Sequence, residues 1–235
     1  MFDLDRHCKT YPLEVLLTLN LPEELPFDTG GFHFPVNTHT NTVSQGFSEN
    51  HDRAFARSTG QLFCVMNPDI RINEEVFPAL HGCLQDVSVG VAAPVVAGAD
   101  GSMENSARRF PTPLKILCKA LGGCSGGDYA VKDEIVYPEW VAGMFMLFRR
   151  EVFEKMGGFD ERYHLYYEDV ELCVRLRLQG YRAALCPDAK VVHHAQRSSH
   201  RNLRYMKWHL ASMLRFFFSS SFLKICRLRL TKQLP

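Results

Sequence analysis

Short apolar runs alternate with polar and turn-forming residues along the chain, a pattern typical of strands buried in an α/β fold. The runs that we interpret as strands are 13–20, 36–41, 61–66, 87–96, 140–149, 181–186 and 190–192. The segments that we interpret as helices are 46–56, 73–84, 150–156, 168–179 and 202–218. Strands alternating with helices predict one large α/β domain. No regular structure is predicted for residues 1–12 or 112–138.

The first apolar run, at 13–20, has so few polar residues that we expect a parallel strand buried on both faces. The run at 61–66 ends abruptly at Asn67-Pro-Asp69. In open α/β sheets, ligands collect at the carboxyl ends of strands, so this tripeptide is placed to contact a metal or a phosphate. A plain turn is the stronger explanation of the tripeptide alone, since all three residues are turn formers.

The stretch Gly157–Arg182 joins a glycine turn, an aromatic run and two adjacent acids at a helix start. Acids in a first helical turn interact favourably with the helix dipole, which is a purely structural explanation. The glycines and aromatic residues before Glu168 and Asp169 favour a second interpretation, the edge of a shaped pocket. A carboxylate held at a helix N-terminus is expected to stay ionised, which suits a general base.

Charge is distributed unevenly over the 235 residues, although the net charge is only +1. No acidic residue follows Asp188, and 10 of the 27 lysines and arginines lie beyond it. A basic, apolar segment at 206–235 predicts an amphipathic helical region that contacts an anionic membrane surface. A solvated helix, or a tail paired with the acidic body of the chain, is the alternative. We expect no nucleic-acid partner.

The eight cysteines contain no CxxC pair, and several lie inside apolar runs. They are therefore expected to be buried, reduced thiols of a cytoplasmic protein. The acidic N-terminus lacks the apolar core of a signal peptide, and no run reaches the ~18 apolar residues of a membrane span.

Five short motifs occur in a fixed order along the chain. They are Asn67-Pro-Asp69, Trp140-Val-Ala-Gly-Met-Phe-Met146, Gly157-Gly-Phe-Asp160, Tyr167-Glu-Asp-Val-Glu-Leu-Cys-Val-Arg-Leu176 and Val192-His193. Together they resemble the family 2 inverting glycosyltransferases with the GT-A fold, and most closely the rhamnosyltransferase-type branch that builds cell-surface polysaccharides. The resemblance covers about residues 13–205. It implies a GT-A-like domain at 1–205, with a mostly parallel sheet flanked by helices.

The resemblance also implies roles for individual residues. Asp169 matches the catalytic base, with Glu168 beside it at the acceptor. Asp69 matches a ligand of Mg²⁺ or Mn²⁺, and His193 completes that metal or diphosphate site. The residues matched to the donor nucleotide are Asn20, Gly46, Phe47, Asn50, Asn67 and Asp69. Those matched to the donor sugar and acceptor region are Trp140, Ala142 and Gly143.

The implied activity is transfer of a sugar, such as rhamnose from dTDP-rhamnose, to a lipid-linked or polysaccharide acceptor. The implied location is the cytoplasm, at the inner face of the plasma membrane. An inverting transfer requires a base for the acceptor hydroxyl and a cation beside the leaving diphosphate. Oxygen ligands and a histidine suit Mg²⁺ or Mn²⁺.

The chain departs from the family pattern in two ways. It begins almost directly at the 13–20 run, without the family's opening strand and helix, so we expect an N-terminally shortened member. Leu19-Asn20 stands where the family has Asp-Asn. These departures support a second hypothesis, a truncated and catalytically silent GT-A-fold binding or scaffold protein. A third hypothesis, a zinc hydrolase using His193, His194 and His200, is weak because neighbouring strand residues point to opposite faces.

Overall fold

A computed structural model describes residues 1–123, 127–130, 133–194 and 203–231. Its α-helices are α1 (Phe2–His7), α2 (Phe47–Arg57), α3 (Phe77–Leu84), α4 (Pro113–Ala120), α5 (Arg150–Met156), α6 (Glu168–Leu178), α7 (Leu203–Phe217) and α8 (Ser220–Leu230). Its strands are β1 (Val15–Leu19), β2 (Val36–Thr40), β3 (Leu62–Met66), β4 (Ile70–Arg71), β5 (Val89–Gly98), β6 (Ala107–Arg108), β7 (Trp140–Val141), β8 (Phe145–Arg149) and β9 (Arg182–His193).

A five-stranded sheet in the order β3-β8-β5-β9-β4 forms the centre of the fold. Strands β5 and β9 are parallel, and β8 runs antiparallel to both β3 and β5. Consequently β3, β5 and β9 share one direction, while β8 and β4 run the other way. Strands β1 and β2 form a separate parallel pair, and β6 and β7 a short antiparallel pair. The α/β prediction is confirmed, but the expectation of a mostly parallel sheet is wrong: three of the four strand pairs in the central sheet are antiparallel and one is parallel.

Apolar clusters cover both faces of the five-stranded sheet. Because side chains alternate along a strand, β3 contributes to both. Phe63 and Val65 are buried in one cluster with α5, α6 and the C-terminal helices. Leu62 and Cys64 pack against the other, which contains α3.

The C-terminal helices pack onto the same core through their inner faces. Phe216 of α7 and Phe222 and Ile225 of α8 are buried in the cluster that includes α6. The apolar residues on the outer side of α7 stay exposed. The division of the chain at residue 205 remains a prediction.

Four predicted strands differ from the observed ones. The 13–20 run is not buried as expected: only Leu19 of β1 is buried, because β1 pairs with β2 alone and lies outside the central sheet. The 140–149 run is divided between β7 and β8 at residues 142–144. Residues 181–186 and 190–192 belong to one strand, β9, with a register shift opposite Pro94 and Val95.

The expectation that every cysteine is a reduced thiol is wrong for one pair. Cys83 of α3 and Cys186 of β9 form a disulfide, with their Cα atoms 6.7 Å apart. Both lie in the same apolar cluster. Apolar flanking residues indicated burial correctly, but the packing of α3 against β9 brings these two sulfur atoms together. Among the described residues, no helix is long and apolar enough to cross a membrane.

Candidate active site

Helix α6 begins at the two predicted acids, directly after a turn with unusual backbone angles. Tyr166 and Tyr167 have φ values of 70° and 69°, in the left-handed region that bulky residues seldom adopt. This turn directs the chain so that Glu168 is buried while Asp169 is only partly buried. The two neighbouring carboxyl groups therefore lie in different surroundings.

Asp169 is held by backbone amides on both oxygens. Its Oδ2 accepts a 2.9 Å hydrogen bond from the Gly143 N–H, and its Oδ1 accepts one of 2.8 Å from the Val170 N–H. Gly143 lies in the break between β7 and β8. A Cβ at position 143 would lie 3.4 Å from the Phe47 ring and 3.5 Å from the Asp169 Cβ, which are ordinary van der Waals contacts.

Burial changes the ionisation expected for this pair. Burial raises the pKa of Glu168 well above its usual value, and the charge of Asp169 raises it further. Burial also raises the pKa of Asp169, against the opposing effects of the Gly143 and Val170 amides and the Arg108 charge. A helix start therefore does not by itself determine the ionisation of these acids, because desolvation opposes its effect.

The hydrogen bonds assign the proton within the pair. Glu168 Oε2 is buried without a partner, whereas both oxygens of Asp169 accept amide hydrogens. Amide donors favour the charged form of a carboxylate. We therefore assign the shared proton to Glu168 and the negative charge to Asp169, which leaves Asp169 able to accept a proton.

Asp69 and His193 come together as predicted. The His193 Nε2 lies 3.3 Å from Asp69 Oδ2, and its Nδ1 lies 3.1 Å from Glu104 Oε2. Asp69 Oδ1 is buried and has no hydrogen-bond partner. Glu104, which the sequence did not single out for this role, fixes the orientation of the imidazole, an arrangement common behind metal-binding histidines.

Hydrogen bonds of the backbone connect Asp69 with the Asp169 region. The Asn67 N–H donates to the Met144 carbonyl at 2.9 Å, next to Gly143. The His194 N–H donates to the Asp69 carbonyl at 3.0 Å. The predicted metal residues, Asp69 and His193, and the predicted base, Asp169, thus lie along the same edge of the central sheet.

An amide cluster surrounds Asn20 at the ends of β1 and β2. Asn20 Oδ1 accepts hydrogen bonds from the Gln45 N–H, Asn41 Nδ2 and Asn50 Nδ2. Asn41 was not identified from the sequence; it is buried, and its Oδ1 has no partner. The sequence feature that could have identified Asn41 is its position directly after β2, where a strand ends. The cluster is neutral, in agreement with the missing acid at residue 19.

The predicted loop at Gly46 and Phe47 joins this amide cluster to the acids. The Phe47 N–H donates to the His164 carbonyl at 2.8 Å. A Cβ at Gly46 would lie 2.7 Å from that same oxygen, which explains the glycine. Phe47 then reaches Gly143 on its other side, as described above.

Trp140 and Ala142 have structural contacts beside the acids. The Trp140 ring is buried, its indole N–H donates to the Arg109 carbonyl, and the Arg108 guanidinium lies 5.1 Å from the ring centroid. The Ala142 N–H donates to the Ser106 carbonyl at 2.8 Å. Arg108 therefore presents a positive charge near Asp169.

Among the described residues, neither the surface cavities nor the grouping of metal-binding side chains indicates a site elsewhere on the protein. Surface cavities of about 670 and 620 Å³ lie beside α8 and at the α7–α8 junction, and Asp69, Asp169 and His193 line neither. Across the described ranges, no three histidine, cysteine, aspartate or glutamate side chains are grouped to hold a metal. His200, part of the zinc hypothesis, lies outside the described residues.

The architecture resembles solved glycosyltransferases. Superposition on the crystal structure of GalNAc-T7 with UDP, GalNAc and Mn²⁺ gives a TM-score of 0.67 at 13% identity, covering 92% of this chain and 44% of that one. The crystal structure of S. aureus TarS gives a TM-score of 0.53 at 10% identity, covering 89% of this chain and 40% of that one. The fold is therefore GT-A-like.

Sequence comparisons point to the same class of protein. Residues 135–211 match the model described as Glycosyltransferase like family 2. The chain is 32% identical over 148 residues to an N-acetylglucosaminyl-diphospho-decaprenol L-rhamnosyltransferase of Mycobacterium tuberculosis, covering 59% of this chain and 48% of that protein. It is 32% identical over 116 residues to rhamnosyltransferase WbbL of Escherichia coli, covering 47% of this chain and 43% of that protein. These matches support a family 2 glycosyltransferase of the rhamnosyltransferase-like branch, and the chain spans about half the length of these relatives.

Replacing Glu168 by glutamine should stabilise the protein at alkaline pH. A carboxyl group whose pKa is raised in the folded state binds more protons there than in the unfolded state, so stability falls as pH rises from the unfolded pKa through the folded pKa. Glutamine does not ionise, so the variant does not lose stability in this way as the pH rises. We expect the Tm of Glu168→Gln to exceed that of the wild type at pH 8, and the difference to shrink at pH 5. Thermal unfolding by circular dichroism, with the exposed Glu134→Gln as the control, tests this. An equal difference at both pH values would contradict the assigned proton.

Proposed function

We propose that the chain is an inverting glycosyltransferase that acts on a nucleotide-sugar. The observation that carries this proposal is the Asp169 carboxylate, positioned by the Gly143 amide on the same sheet edge as Asp69 and His193. An in-line transfer requires a base for the acceptor hydroxyl and a group that contacts the donor diphosphate, and both must lie beside the same reacting carbon.

In the proposed reaction, an acceptor hydroxyl lies within hydrogen-bond reach of Asp169. The hydroxyl oxygen attacks the anomeric carbon while its proton moves to the Asp169 carboxylate. The bond from that carbon to the diphosphate oxygen breaks, and its electron pair leaves with the nucleoside diphosphate. Displacement from the opposite face inverts the anomeric configuration. Glu168, protonated beside Asp169, contributes no second negative charge.

A divalent cation, Mg²⁺ or Mn²⁺, is the proposed cofactor, and its chemistry is to offset charge on the leaving diphosphate. Asp69 and His193 are the residues that would hold it. The unpartnered, buried Asp69 Oδ1 fits this role, as does the His193 ring oriented by Glu104. Oxygen atoms of a donor diphosphate suit the remaining coordination positions. Asn67 is proposed as a neutral contact on the same loop.

The amide cluster at Asn20, Asn41 and Asn50 is the proposed nucleotide side of the site. Asn41 Oδ1 is a buried acceptor without a donor, a polar group that a nucleotide N–H would satisfy. Relatives named as rhamnosyltransferases support rhamnose as the sugar, with dTDP-rhamnose as the donor. The name of the mycobacterial relative, which includes a diphospho-decaprenol, supports a lipid-linked glycan acceptor in cell-surface glycan synthesis.

The outer face of α7 is the proposed contact with an anionic membrane, at the cytoplasmic side. Large apolar side chains follow one another along this face and directly after its end: Leu203, Met206, Leu210, Leu214 and Phe218, each 48–81% exposed. Arg204, Lys207 and Arg215 are also exposed on this helix, and the chain has no acid beyond Asp188. Exposed apolar residues flanked by cations are typical of helices that lie in a lipid interface.

Asp169→Asn should lower the rate of sugar transfer about 10²- to 10⁴-fold, because the amide cannot accept the hydroxyl proton. The Kd for the donor should stay close to the wild-type value, since Asp169 lies on the acceptor side. Radiolabelled transfer from dTDP-rhamnose to a lipid-linked glycan acceptor, with the exposed Asp188→Asn as the control, measures this. A variant that transfers sugar at the wild-type rate would exclude Asp169 as the base.

Binding of nucleoside diphosphates should require a divalent cation and Asp69. By calorimetry with dTDP, UDP and GDP, we expect binding with Mn²⁺ and little without it. Glu104→Gln should weaken binding about 10- to 100-fold through the orientation of His193, and Asp69→Asn should weaken it further. The exposed Asp133→Asn serves as the control. No binding of any nucleotide to the wild type would favour the silent scaffold hypothesis, which was motivated by the missing opening strand and by Leu19 in place of an acid.

Replacing Leu210 and Leu214 together by aspartate should reduce vesicle binding about tenfold or more, through lost apolar burial and added negative charge. Flotation with phosphatidylglycerol vesicles, compared with phosphatidylcholine vesicles, measures this. Val87→Asp places the same charge at an exposed apolar residue elsewhere. Equal flotation of the double variant and the wild type would rule out this face.

A further inference from the structure

The turn before the two acids is costly to hold. Bulky residues seldom adopt the left-handed region because it strains the backbone, and Tyr166 and Tyr167 adopt it in succession. Such angles persist only where surrounding contacts fix them. The position of Asp169 depends on this turn, since α6 begins directly after it.

Helix α7 contacts four successive residues of this turn from its inner face. The contacts are Trp208 to His164, with ring centroids 4.5 Å apart, Ser212 Oγ to the Leu165 carbonyl at 2.9 Å, and His209 to Tyr166 and Tyr167, with ring centroids 5.2 and 5.5 Å apart. Ser212 is buried, whereas His209 is exposed. One helix face therefore fixes the entire approach to Glu168.

The opposite side of the turn rests on the start of α2. The Ser48 hydroxyl donates to the Tyr163 carbonyl at 2.9 Å, and the Phe47 N–H donates to the His164 carbonyl at 2.8 Å. Residues 163–167 are thus held between the proposed nucleotide loop and α7.

We propose that α7 is a brace for the active site: Ser212 and His209 are positioning residues that hold the left-handed turn and thereby keep the Asp169 carboxylate against the Gly143 amide. The importance of that carboxylate rests on the proposed function, but the mechanical link does not. Ser212 supplies the backbone hydrogen bond, and the His209 ring packs against both strained tyrosines.

The Gly143 amide hydrogen reports the position of Asp169 without any substrate. If the brace loosens, the Gly143 N–H loses its acceptor for part of the time and exchanges faster with solvent. We expect Ser212→Ala and His209→Ala each to raise the exchange rate of the Gly143 amide about three- to tenfold, the factor that corresponds to one weakened hydrogen bond. Hydrogen exchange followed by NMR measures it, and the exchange of Val91 and Ala92 in β5 monitors global stability.

Ser220→Ala is the matched control, because Ser220 is an exposed serine of the neighbouring helix α8. It should leave the exchange at Gly143 unchanged. Should Ser212→Ala fail to fold, His209→Ala decides the matter, since His209 is exposed. The brace is refuted if both variants fold and the Gly143 amide exchanges at the wild-type rate in each. If only His209→Ala folds, the wild-type rate in that variant refutes it. Faster exchange in a protein that transfers no sugar would overturn the proposed function and leave the brace intact.

Discussion

The geometry of the candidate site depends on one hydrogen bond, from the Gly143 amide to the Asp169 carboxylate. It ties the break between β7 and β8 to the first turn of α6. The same glycine lies against Phe47, and the next residue, Met144, accepts a hydrogen bond from Asn67. A Cβ at position 143 would be in ordinary van der Waals contact with both Phe47 and Asp169, so these elements already pack closely around the glycine.

Burial and hydrogen bonding act in opposite directions on the neighbouring acids, and this opposition gives them different chemistry. Glu168 points into the core, where desolvation favours its neutral form. Asp169 points toward backbone donors, which favour the carboxylate. Two identical functional groups, adjacent in sequence, thus carry one proton and one charge between them. The aromatic turn determines which residue receives which surroundings.

The sequence predicted much of this arrangement, and its failures have physical causes. Apolar periodicity located most strands of the central sheet and the helices α2, α5, α6 and α7, because burial imposes that periodicity. Periodicity did not reveal the break at Gly143, since both halves of the 140–149 run are apolar. Motif order indicated Asp69, His193 and Asp169, whereas Glu104 and Asn41 act through contacts distant in sequence. The short helix α1, in a polar segment, gave no apolar signal.

The separate β1–β2 pair divides the fold into parts of unequal resistance to opening. Four of the five residues of β1 are only partly buried, and the carboxylate of Glu14 reaches across to the amides of Thr59 and Gly60 before β3. Segments with little buried apolar area open locally at a lower free-energy cost than a central sheet. Asn20 and Asn41, at the ends of these two strands, therefore belong to the softer part, while Asp169 belongs to the rigid part. A molecule bound to these asparagines would raise the free-energy cost of opening the β1–β2 pair. Its binding would therefore reduce the difference in local stability between this pair and the central sheet.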